Sequence, residues 1–229
     1  MFIDEWFEKD YYKQLPLGYH VQSSYQPGQF FWTHLLYTVE NLELWRAVLD
    51  PSEPTKTIAT DFRITAAGRD AFRRSLPLAV PRLETNEEFI VTRAKKRPVL
   101  LIQPQAADMA VDNKGYKGKV QRKKCLVAPI YGLADPKTGT PDFNPAFVDR
   151  VRKMEFPQLL FLPKAPGLLE VDSVARLDEL QSVFTPHLEA TQYALGDEVQ
   201  QLLRGQIQLF VANVGPSFYT ELREELLKS

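Results

Sequence analysis

Arg97 opens the run Pro98-Val99-Leu100-Leu101-Ile102, and farther on Cys125-Leu126-Val127-Ala128-Pro129-Ile130 forms a second apolar run that ends in the phenol of Tyr131. Runs of this length and composition predict two buried strands set around an arginine. A third candidate group is Val174-Ala175-Arg176-Leu177-Asp178-Glu179, where Arg176 and Asp178 stand two apart. On a strand that spacing puts a guanidinium and a carboxylate on one face, close enough to pair. His34 lies at the end of an aromatic run and reads as a satisfied core or rim histidine.

The charge around the first two runs is lopsided. Between Phe89 and Ala134 there are ten basic residues, Arg93, Lys95, Lys96, Arg97, Lys114, Lys117, Lys119, Arg122, Lys123 and Lys124, against Asp108 and Asp112, a local balance of +8. The whole chain carries −1, so the remainder sums to −9. Segregation on this scale gives one region a positive field that attracts a polyanion such as RNA, although a basic hairpin can also be merely a solvated surface.

Other chemistries lose weight on composition. Three histidines and one cysteine, at no close spacing, argue against a transition-metal site, so any hydrolysis is expected to be metal-independent and no cofactor is implied. Cys125 lies within an apolar run and reads as a buried, inert thiol. Gly115-Tyr116-Lys117-Gly118-Lys119 lacks the spacing and hydroxyl of a Walker loop and reads as a basic hairpin tip. There is no Gly-x-Ser-x-Gly elbow. The acidic start Met1-Phe2-Ile3-Asp4-Glu5 is unlike a signal peptide and no apolar run approaches the ~20 residues of a membrane span, so a cytoplasmic protein is expected.

The elements that must hold these residues read as mainly β with some α. Residues 1–24 form an aromatic N-terminal extension with a short helix from about Asp4 to Lys13. Pro27-Gly28 is a turn, and Gln29 to Tyr37 is a strand rich in aromatics. Residues 38–86 read as an insertion with short strands near Thr57 to Ile64. From Glu88 the segments Phe89–Val91, the basic corner Arg93 to Arg97, Val99–Ile102 and Leu126–Ile130 are the runs of a small antiparallel barrel. Asn144-Pro145 starts a helix, Gln158–Leu162 is a strand, and a more polar strand lies between Val171 and Val183. Asp197 and Glu198 start an amphipathic helix, and 216–229 forms a helical tail. Residues 25–215 thus read as one barrel domain.

This order of elements, with Arg97-Pro98-Val99, then Ala128-Pro129-Ile130, then Arg176-x-Asp178, then a helix, resembles the PemK/MazF family of toxin-antitoxin endoribonucleases. The resemblance covers roughly residues 87–212, and Pro27 to Leu36 looks like the family's opening Gly-Asp-x-x-Trp strand. It implies a small SH3-like barrel that dimerises, cleaves single-stranded RNA without metal and is neutralised by an antitoxin. Arg97 then stabilises the charge on phosphorus or donates a proton, Asp178 acts as base, and Arg176 clamps phosphate. Tyr131 stands where the family has a site Thr or Ser, and Lys95, Lys96, Lys123, Lys124, Ser182 and His34 are the expected RNA contacts. The family's Glu-Gln-Gly before the arginine is replaced by Arg93-Ala94-Lys95-Lys96. With that element missing, the alternative is a catalytically inactive barrel that binds nucleic acid or protein.

Overall fold

The computed structural model describes residues 1–37, 42–49, 52–53, 57–68, 73, 82–104 and 123–229. The chain divides into two compact units, Met1–Leu35 with Lys96–Ser229, and Leu36–Lys95. The expected hairpin tip at 115–119 and the prolines of the 38–86 segment lie outside the described residues.

The larger unit is built on antiparallel strands in the order β1 (Tyr12–Gln14), β11 (Glu189–Leu195), β2 (Gln29–Leu36), β6 (Ala94–Gln103), β7 (Lys124–Gly132), β9 (Ser173–Arg176), β8 (Leu159–Leu162), with β10 (Gln181–Phe184) also on β7. The three central strands carry apolar residues on both faces, which is why they read as unbroken runs. Phe30, Leu100, Ala128 and Ile130 join the larger core, while Phe31, Val99, Leu101, Cys125 and Val127 form a second core on the other side. Among the described residues neither sheet closes on itself.

Helices cover the larger core. Helix α2 (Pro145–Arg152) starts as its sequence dictates, with the Asn144 side chain accepting from the Ala146 amide at 2.9 Å and proline in the first turn. Helix α3 (Asp197–Ala212) buries Val199, Leu202 and Leu203 and ends on Asn213 in the left-handed region. Helix α4 (Ser217–Lys228) adds Tyr219, Leu222 and Leu226. Gly205 lets these two helices meet, since a Cβ there would lie 2.8 Å from Tyr219 Cβ. No helix among the described residues is long and apolar enough to cross a membrane.

Several local expectations change. The helix expected from Asp4 to Lys13 is only α1 (Ile3–Trp6), and Tyr12–Gln14 instead pairs with β11. An open strand edge and a β-favouring tyrosine outweigh the weak helical pattern. Tyr11 donates to the Phe161 carbonyl and Tyr12 to that of Pro163 at 2.7 Å, so the N-terminal residues are stitched into the core. The basic corner Arg93 to Arg97 is largely strand, because β6 begins at Ala94. In the smaller unit β3 (Glu43–Leu49) lies between β4 (Thr57–Ala66) and β5 (Ile90–Val91), with Leu44 buried and Arg46 paired to Glu88 at 3.1 Å.

Candidate functional site

The site forms where the partner of β7 changes. Strand β9 pairs Ile130 with Ala175, and β10 pairs Val127 with Gln181. From Ala175 to Gln181 the chain advances six residues while β7 advances three, so three residues are looped out. They are the 3-10 turn Leu177–Glu179. Leu177, 1% exposed, fills the core and roots the turn. The single polar strand expected between Val171 and Val183 is therefore two strands with a turn between them. The signal was present: Val171, Val174, Leu177, Leu180 and Val183 recur every three residues, the period of a 3-10 turn and not the two of a strand.

The turn changes which side chains meet. On a strand, Asp178 and Glu179 would point to opposite faces. Here both reach Arg176: its Nε and Nη2 fork onto Asp178 Oδ1 and Oδ2 at 3.1 and 2.5 Å, and its Nη1 lies 2.7 Å from Glu179 Oε1. The other oxygen of Glu179 accepts a hydrogen bond from the Tyr131 hydroxyl at 2.6 Å. Continuing the pairing of Val99 with Pro129 by two residues sets Arg97 opposite Tyr131, and the Arg97 guanidinium carbon lies 4.6 Å from that ring's centroid. Strand β6, strand β7 and the turn thus bring Arg97, Tyr131, Arg176, Asp178 and Glu179 together.

Among the described residues the cluster sets two guanidinium groups against two carboxylates. Burial, followed by the hydrogen bond and charge of Glu179, pushes the Tyr131 phenol up to about 12, against the opposing pull of Arg97 and Arg176. Tyr131 is therefore a protonated donor at neutral pH. The Arg176 fork holds the Asp178 carboxyl below its ordinary value. A depressed carboxyl stabilises the fold above its unfolded value, about 3.9, and that contribution is lost as pH falls through the lower folded value. Between about pH 5 and pH 3 the melting temperature of wild type is expected to fall more than that of Asp178→Asn; parallel curves would show that the pair adds nothing to stability.

The other expected contacts have their own surroundings. Lys96 alternates with Arg97 along β6 and pairs with Glu189 at 2.6 Å. His34 is exposed on β2, and Lys95 is an exposed residue of the smaller unit. Lys123 and Lys124 are exposed at the start of β7; Lys124, opposite Phe184, is seven residues from Tyr131, or ~23 Å along a strand. Ser182 is exposed opposite Leu126. His34, Lys96, Lys123, Lys124 and Ser182 do not join the Arg97 cluster. Cys125 is buried, its thiol donating to the Val183 carbonyl at 3.7 Å, and burial pushes the thiol up. Among the described residues no group of three or more His, Cys, Asp or Glu is arranged to hold a metal ion.

Glu179 is the member that reading the sequence as a strand misses. No family model matches this chain, and no curated protein matches it either.

Proposed function

We propose that this chain is a PemK/MazF-like endoribonuclease that cleaves single-stranded RNA without metal, built on a small SH3-like barrel that forms a homodimer. In this reading it acts in the cytoplasm and is held by an antitoxin protein that covers its basic surface. The observation that carries the proposal is the convergence of Arg97, Tyr131, Arg176 and the Asp178–Glu179 carboxylates from separate elements. Cleavage by a ribose 2′-hydroxyl needs a proton acceptor, a proton for the departing 5′-oxygen and cations for the charge gathering on phosphorus. One of the paired carboxylates serves as acceptor and Arg97 faces the phosphorus charge; Arg176 orders both acids and turns to the phosphate as it enters.

A specific observation favours a second reading. Arg176 is saturated, with one carboxylate on its fork and another on its third nitrogen, so at rest the charges answer one another. A site closed in this way suits an inactive barrel that binds nucleic acid or protein.

The test is to incubate purified protein with a long single-stranded RNA in excess EDTA and map any new ends. Discrete cuts are expected. Intact RNA, bound with the steep salt dependence of phosphate contacts, would give the chain to the binding module; neither binding nor cutting would end both readings.

A further inference from the structure

We propose that Tyr131 and Glu179 form a proton relay in which the Tyr131 oxygen takes the proton of the ribose 2′-hydroxyl while its own proton passes to Glu179 Oε2. The inference rests on the endoribonuclease reading and names the base within that site.

Asp178 is the acid that sequence order suggests, yet both its oxygens lie in the Arg176 fork and its carboxyl is held below the usual range. A carboxylate held in that way is a weak proton acceptor. Glu179 divides its oxygens: Oε1 faces Arg176 and Oε2 receives the phenol proton at 2.6 Å. A hydroxyl whose proton is committed to a carboxylate presents its lone pairs to a second donor. Tyr131 is half-buried and, with its phenol pushed up to about 12, stays protonated until a donor arrives. Arg97 over the same ring puts a cation beside the place where that donor's phosphate must lie.

The step balances without an added reagent. As the 2′-proton moves to Tyr131 and the phenol proton to Glu179, the electron pair of the broken O–H bond forms the new bond from the 2′-oxygen to phosphorus. The bond from phosphorus to the 5′-oxygen breaks with its pair on that oxygen, which takes a proton from water. The hydroxide left is neutralised by the proton on Glu179, and the relay returns to its starting state. The products are a 2′,3′-cyclic phosphate and a 5′-hydroxyl.

The experiment measures cutting of single-stranded RNA in EDTA, in mixtures of H2O and D2O, for wild type, Tyr131→Phe, Glu179→Gln and Asp178→Asn. Two protons in flight predict a curved dependence of rate on deuterium fraction in wild type. Tyr131→Phe keeps the ring under Arg97 and is expected to cut about 100-fold more slowly with a linear dependence, and Glu179→Gln to behave alike. Asp178→Asn loosens Arg176 and slows the reaction but keeps the curvature. A linear wild-type plot, or Tyr131→Phe cutting at the wild-type rate, would overturn the relay and leave the endoribonuclease standing. Wild-type protein that cuts nothing would remove both. The wild-type curvature alone decides the matter if a variant fails to fold.

Discussion

Arg97→Ala is expected to cut RNA at least about 100-fold more slowly than wild type, the loss typical of removing one preorganised donor from a developing oxyanion. Among the described residues the cluster sets Arg97 and Arg176 against Asp178 and Glu179. Under the endoribonuclease reading, removing Arg97 takes one cation from beside the entering phosphate, so binding and charge stabilisation are expected to weaken together. Arg97 is half-buried and its contact with the Tyr131 ring is worth about 1 kcal/mol, so a melting curve separates a loss of chemistry from a loss of fold. Arg97→Lys restores the charge but not the planar fork and should recover only part of the rate. Initial rates with a melting curve for each variant check this; wild-type rates in Arg97→Ala would remove Arg97 from the chemistry.

The second large effect is structural. Gly196→Ala is expected to destabilise the chain by about 3 kcal/mol or more, at or beyond the upper end of ordinary overpacking. Gly196 ends β11 and caps α3, and its amide donates to the Tyr11 carbonyl at 2.9 Å. A Cβ built there would sit 1.7 Å from the Asp10 carbonyl oxygen, and what it meets is backbone, which cannot swing aside as a side chain can. One methyl must therefore part the N-terminal strand from the start of α3. Denaturant midpoints for the two proteins measure it; a change below about 1 kcal/mol would mean the N-terminal segment packs differently in solution.

How much of this was legible in the sequence depended on what fixes each element. Strands β2, β6 and β7 announce themselves because burial on both faces demands continuous apolar runs, and α2 and α3 because their first turns carry Asn144-Pro145 and Asp197-Glu198. Strand β11 does not: Glu189-Ala190-Thr191-Gln192-Tyr193-Ala194-Leu195 has no apolar run, and it is a strand because β1 and β2 flank it. Strand β1 depends on that edge in turn. For the site, Arg97, Tyr131, Arg176 and Asp178 were readable as residues with chemistry, and they do converge. Glu179 was not, since its direction is set by a turn that exists only because β9 and β10 pair with β7 in registers three residues apart.

That offset separates two kinds of heritable change. Substitutions in the paired strands must preserve volume on both faces, whereas the looped-out triplet answers to the sheet through its buried Leu177 peg and through the bonds of Asp178 and Glu179 to Arg176 and Tyr131. Exchanges at positions 178 and 179 therefore alter the charges that meet Arg176 and Tyr131 while the registers on either side stay as they are. The sheet fixes the frame of this molecule, and the triplet is the place where one exchange changes the charge beside β7 without repacking the core.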